Sequence, residues 1–189
     1  MLYNEAMDLD LRDGKSLIVY FSRANENYSV GEVEVGNTEL LATALKGFLE
    51  QREVAVDSFK IEPVEAYPES YDDAVSQATN ERNMDERPEY VGDVEHFADY
   101  DVVYLGYPIW WGDLPMIVYN FIEKHEFAGK VVVPFCTHEG SGDSGSFETL
   151  KERLPDADVL QNGFLITGHE ARTEDGLRSL EPWLDELGL

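Results

Sequence analysis

Short apolar runs and amphipathic stripes take turns along most of this chain, and that alternation restricts it to a layered α/β fold. KSLIVYFS (15–22) is almost continuously apolar, as a strand buried on both faces of a parallel sheet must be. EVAVDSFKI (53–61), DVVYLGYPI (101–109), KVVVPFCT (130–137) and ADVLQNGFLI (157–166) read as four more strands. Between them the apolar residues change to helical spacing. Leu40, Leu41, Ala44, Leu45, Phe48 and Leu49 form one stripe, and Asn37 or Thr38 is expected to cap that helix. Residues 70–86 read as an exposed acidic helix with Tyr71, Ala74, Val75 and Ala78 inward. Leu114, Ile117, Val118, Phe121 and Ile122 mark the next, with Asp113 as its expected cap and Pro115 in its first turn. Phe147, Leu150 and Leu154 mark another, and Leu177, Leu180, Leu184 and Leu187 the last, which Pro182 must kink or split. Right-handed crossovers then give a three-layer, doubly wound, five-stranded parallel sheet with helices on both faces. Ligands of such sheets bind at the carboxyl ends of the strands, where strand order reverses.

The 189 residues suffice for one domain, expected over 15–189 after an acidic leader (1–14) that orders only in part. Thirty-nine acidic residues against 14 basic ones give a net charge of −25, which repels nucleic acid and anionic membranes. It suits basic protein partners, or simply a solvated coat. No apolar run approaches the ~20 residues of a membrane span, and the acidic start lacks the pattern of a signal peptide. The single cysteine, Cys136, can form no intramolecular disulfide, so a cytoplasmic location is expected. The oligomeric state is not written in the sequence.

Three loops leave the carboxyl ends of the first, third and fourth strands. In the first, Ser22, Asn37 and Thr38 offer polar donors, Gly36 permits close backbone approach, and the following helix exposes unpaired N–H groups. Such a helix tip holds a phosphate with little help from basic side chains, although Arg23 stands nearby. The pair Asn37-Thr38 taken alone is also what ordinary capping looks like. The second loop, Tyr107-Pro108-Ile109-Trp110-Trp111-Gly112-Asp113, sets two tryptophans directly after a buried strand. If the chain is extended there, one packs inward and the other, expected to be Trp110, faces a pocket as a flat stacking partner. The third, Cys136-Thr137-His138-Glu139-Gly140-Ser141-Gly142, offers backbone N–H groups to carbonyl oxygens of a ligand.

IVYFSR with VGNTELLATAL, then YLGYPIWWGDLP, then PFCTHEGSG resemble, in order, the three cofactor loops of the flavodoxin family, over roughly residues 15–187. The resemblance implies a flavodoxin-like fold with strand order 2-1-3-4-5 and bound FMN. It implies that Ser22, Arg23, Gly36, Asn37 and Thr38 take the phosphate. Pro108, Ile109, Trp110, Trp111 and Gly112 would flank the ring, and Thr137, His138, Gly140, Ser141 and Gly142 its other side. One departure stands out: the family's phosphate loop is compact, whereas residues 23–36 here separate Ser22 from Asn37.

Other chemistries fare worse. Cys136 and His138 lack an evident orienting acid, so a structural cysteine is expected rather than a nucleophile. The scattered histidines show no metal-ligand spacing, and there is no dinucleotide fingerprint. The expected role is an FMN-binding electron carrier acting on redox partner proteins. The alternatives are an FMN-dependent NAD(P)H:quinone-type oxidoreductase and a non-redox module for a phosphorylated ligand.

Overall fold

The computed structural model describes residues 10–189; residues 1–9 of the expected leader lie outside them. The first strand, β1 (Ser16–Tyr20), leads into a small antiparallel ribbon, β2 (Asn25–Asn27) and β3 (Gly31–Val33), and then α1 (Asn37–Gln51). There follow β4 (Val56–Lys60), α2 (Tyr71–Asn83), a 3₁₀ turn at Phe97–Asp99, β5 (Val102–Pro108), α3 (Met116–Lys124) and β6 (Val131–His138). The chain ends with α4 (Ser146–Arg153), β7 (Asp158–Val159), β8 (Phe164–Thr167), α5 (Glu174–Arg178) and α6 (Leu180–Glu186). The main sheet runs β4-β1-β5-β6-β7, with β8 also on β6, and every pairing in it is parallel. Counting β7 and β8 as one interrupted strand, this is the order 2-1-3-4-5.

The alternating faces of the central strands feed two cores. On one face Leu17, Val19, Val103, Leu105 and Tyr107 pack with Ile117, Phe121 and Leu150. On the other Ile18, Tyr104, Val133 and Phe135 pack with Leu41, Leu45, Leu49 and Leu184. Leu11 joins this second core, so the chain is already packed by that residue.

Three local expectations are corrected. The fifth strand is split, because β7 pairs Val131 and Val132 while β8 pairs only from Phe135 onward. Pro134 sits at the gap and has no N–H to give the ladder. Neither Asn37 nor Thr38 caps α1; Gly36 is the N-cap residue, and Ser22 Oγ accepts the Glu39 N–H at 3.0 Å. Pro115, not Asp113, is the N-cap of α3. Asp113 Oδ1 instead accepts from the Leu114 N–H and Tyr119 hydroxyl at 2.7 and 2.8 Å. Pro182 lies in the first turn of α6, so the last helical stretch is two short pieces.

Candidate functional site

The register aligns Tyr20 with Gly106 and Pro108 with Thr137, so the exits of β1, β5 and β6 meet at one sheet edge. A cleft of about 310 Å³ opens there. This is within the range of small-molecule sites.

The first loop closes on itself through the ribbon. Residues 25–33 fold out as β2 and β3, and Ser22 and Arg23 return to the tip of α1. Gly36 makes this possible: a Cβ there would stand 2.2 Å from Ser22 Oγ and 2.5 Å from the Arg23 carbonyl oxygen. The long separation of Ser22 from Asn37 is therefore bridged in space. Among the described residues the N–H groups of Asn37 and Thr38, in the first turn of α1, have no hydrogen-bond partner. The Thr38 hydroxyl is not available, being buried 2.8 Å from that of Thr137. Arg23 borders the cleft, but its terminal nitrogens are held by the carbonyls of Glu26, Pro68, Glu69 and Ser70. Its Nε is buried without a partner among the described residues, and burial lowers the guanidinium's pKa.

The second loop is a two-residue reversal. Trp110 and Asp113 exchange backbone hydrogen bonds of 3.0 and 3.1 Å, and Trp111 and Gly112 both have positive φ, 53° and 66°. That is the geometry of a type I′ turn, natural for Gly112 and strained for a bulky Trp111. The side-to-side alternation of extended chain therefore does not apply, and both tryptophans border the cleft. Trp110 stands edge-on to Phe21 and Tyr67 at 5.2 and 5.1 Å, while Trp111 is 51% exposed. Arg82 Nη1 donates to the Trp111 carbonyl at 2.8 Å and clamps the turn.

In the third loop Thr137, His138 and Ser141 line the cleft, as do Pro108 and Ile109 from the second. The backbone donors expected at Gly140 and Gly142 are already used: both N–H groups are donated to His138 Nδ1, at 3.0 and 3.2 Å. In the neutral ring this leaves the proton on Nε2. Ser22, Gly36, Thr38, Gly140 and Gly142 shape the loops without lining the cleft.

Sequence reasoning missed several lining residues. Tyr71, Ala74, Val75 and Ala78 face the cleft rather than a closed core. Tyr28, at the tip of the ribbon, packs 5.8 Å from Tyr71, and an aromatic residue inside a polar loop was its only signal. Glu139 also borders the cleft. Burial raises its pKa, against the opposing pull of His169 and His138. Arg172 was missed too: it donates to Asn37 Oδ1 and to the Val35 carbonyl, both at 3.0 Å, placing a cation beside the tip of α1. Cys136 is fully buried with its pKa pushed up to about 12 by burial, a structural thiol.

A parallel sheet whose carboxyl edge carries a helix tip and an aromatic turn around one cleft defines a ligand-binding protein of the doubly wound class. The family model for flavodoxin matches residues 34–187, and the chain belongs to the flavodoxin family. A protein described as a flavoprotein from Bacteroides eggerthii is 31% identical, with 94% of this chain and 99% of that one covered and a TM-score of 0.73. A second from Bacteroides uniformis is 28% identical over 89% and 98% of the two chains, with a TM-score of 0.66. A flavoprotein in complex with FMN from Lactobacillus acidophilus shares the fold at 16% identity, with 82% and 91% covered and a TM-score of 0.60. No curated protein matches the chain.

Proposed function

We propose that this chain holds FMN non-covalently in the cleft and carries electrons between protein partners. The observation that supports this most is the meeting of three separate loops at one edge, with N–H groups that have no partner among the described residues on one side and two tryptophans on the other. The residues fit the group: among the described residues the buried Nε of Arg23 and the first N–H groups of α1 lack an acceptor that a phosphate would supply. Family membership and the FMN held by the Lactobacillus acidophilus flavoprotein agree with this reading.

In this role Asn37 and Thr38 present their amides to the phosphate, and Arg172 adds charge from outside. Trp110 and Trp111 give the ring a flat wall, and His138 stiffens the loop opposite. When bound, FMN supplies the reversible electron chemistry. The chain's net charge of −25 opposes adding an electron to the site. One carboxylate ~10 Å away contributes roughly 1–2 kcal/mol at an effective dielectric near 20, before salt screening. A low potential, partners with basic docking faces and a cytoplasmic location belong to the same proposal.

An absorbance scan of the purified protein tests the cofactor: flavin bands support it, and a colourless protein that refuses added FMN overturns it. Redox titration then tests the potential; bound FMN easier to reduce than free FMN rejects a low-potential carrier. A second reading, an NAD(P)H-dependent reductase, is favoured by the Tyr28–Tyr71 pair at the cleft, which offers a planar organic acceptor a stacking surface. Steady-state turnover with NADPH and a quinone, without added reductase, separates the two.

A further inference from the structure

Glu81 is 3% exposed on α2, and no ion pair among the described residues includes its carboxylate. Among the described residues its carboxylate oxygens accept only from the Tyr67 hydroxyl at 2.9 Å and the Gln77 amide at 3.2 Å. A buried carboxylate without a cation is costly, and a glutamine would accept from Tyr67 equally well. Its surroundings point toward the cleft. The Tyr67 ring stands edge-on to Trp110 at 5.1 Å. Against the tryptophan turn lies a small, partly open hollow of about 10 Å³, bordered by Glu81, Arg82, Trp110, Trp111 and Asp113 among others. That is close to the room one water needs. The same two tryptophans line the cleft and this small cavity.

The neighbouring groups leave Glu81 as the exchangeable one. Arg82 is committed to the Trp111 carbonyl, and Asp113 accepts from Leu114 and Tyr119. Leu114, Pro115 and Met116 add no charge from the start of α3. Tyr67 is held far above the range in which it could ionise, by burial and by Glu81 itself. Burial raises the Glu81 pKa and Glu86 adds to this, while the bonds from Gln77 and Tyr67 oppose it.

We propose that Glu81 is the redox-linked proton group of this site, a buried carboxylate that takes up a proton from bulk water as the cleft beside it gains negative charge. This rests on the FMN reading above. The electron comes from the donor protein of that reading. Negative charge gained in the cleft strengthens the hold of Glu81 Oε on a proton, so the carboxylate binds one from bulk water and becomes the neutral acid; one proton is taken up for the electron gained.

The test compares full-length, FMN-loaded wild type with Glu81→Gln in redox titrations across pH. The expected wild-type result is a one-electron equilibrium that changes with pH more steeply than in the variant, by up to tenfold per pH unit, over the interval where Glu81 titrates. Glu81→Gln should bind FMN within threefold of wild type and lose that added steepness there. An infrared difference spectrum of the apo-proteins, wild type minus variant, should show the carbonyl band of a buried protonated acid that fades as pH rises. An unchanged pH dependence in the variant, or no such band, overturns the proposal. Failure of wild type to bind FMN overturns the functional reading itself, and this proposal with it. If Glu81→Gln does not fold, Tyr67→Phe carries the test. It removes a bond that favours the ionised acid, so the break must move to higher pH, and an unmoved break rejects the assignment.

Discussion

Ser22 Oγ receives the backbone N–H of Glu39 at 3.0 Å, so a side chain at the end of β1 caps a helix that begins beyond an inserted ribbon. The contact exists because Gly36 leaves room for it. In Gly36→Ala the added methyl meets Ser22 Oγ at 2.2 Å and the Arg23 carbonyl at 2.5 Å, and backbone cannot swing aside as a long side chain can. Overpacking of this kind costs about 1–3 kcal/mol. Thermal unfolding of Gly36→Ala should fall accordingly, with FMN affinity reduced at least tenfold. Ser22→Ala should cost about 1 kcal/mol, the worth of a lost cap. Wild-type melting and affinity in Gly36→Ala would show that the loop is not closed this way.

Arg172 reaches the tip of α1 from the far end of the sequence and bonds Asn37 Oδ1. A guanidinium there acts on a phosphate and not on an uncharged ring. Arg172→Ala should therefore weaken FMN binding by about tenfold, in line with one charge-assisted interaction. Riboflavin, which lacks the phosphate, should bind wild type and variant alike. Equal losses for both ligands in a fluorescence titration would mean that Arg172 acts only by bracing the loop.

The turn at Trp111 holds a bulky residue at φ 53°, and Arg82 bonds its carbonyl at 2.8 Å. Strain of this kind persists only where neighbours enforce it. Arg82→Gln should free the turn, shift the tryptophan emission of the apo-protein and weaken FMN binding by roughly fivefold, since the net worth of an exposed hydrogen bond is about 1 kcal/mol. Unchanged emission and affinity would show that the turn keeps its shape without the clamp.

How far the sequence discloses such features depends on whether the information is local. The strands β1, β5 and β6 are legible because burial on both faces leaves an unbroken apolar run, as in Val131–Val133. The three loops follow, since the exits of those strands must share an edge. What could not be read depends on contacts between distant segments. Ser22 as a cap requires knowing that residues 25–33 fold out, and nothing in Ser22 itself says so. His138 lines the cleft, but nothing in the residue type shows that its Nδ1 is consumed by the N–H groups of its own loop. Tyr71 and Val75 lie on an apolar stripe that looks the same whether it faces a core or a cleft. Arg172 carries no local signal at all.

Cys136 is fully buried, with its thiol pKa pushed up to about 12. At pH 8 only on the order of 10⁻⁴ of molecules then hold the reactive thiolate, and burial blocks access to those. A colorimetric thiol reagent should leave the native protein unmodified for hours and label it promptly in urea. Rapid native labelling would mean that the strand edge beneath the cleft opens readily.

Glu139 gives the site a pH dependence whose sign can be worked out. A Cβ built on Gly168 would lie 2.1 Å from Glu139 Oε1 and 2.4 Å from Asn37 Nδ2, so carboxylate and amide meet beside the tip of α1. A phosphate bound at that tip faces a negative charge when Glu139 is ionised. Burial raises its pKa, so the proton is held more tightly in the folded than in the unfolded chain. Its contribution to stability is thus complete below the unfolded value and is lost as pH rises through the folded one. Phosphate affinity follows the same direction: FMN should bind more tightly as pH falls through the raised Glu139 value. The phosphate itself titrates near pH 6, and its gain of a proton changes affinity on its own account. Glu139→Gln separates the two effects, because only the phosphate's contribution survives in it. Fluorescence titrations from pH 5 to 8 should show tighter FMN binding by the variant at pH 8, with the difference narrowing as pH falls. A constant ratio of the two affinities across that range would remove Glu139 from the phosphate's surroundings.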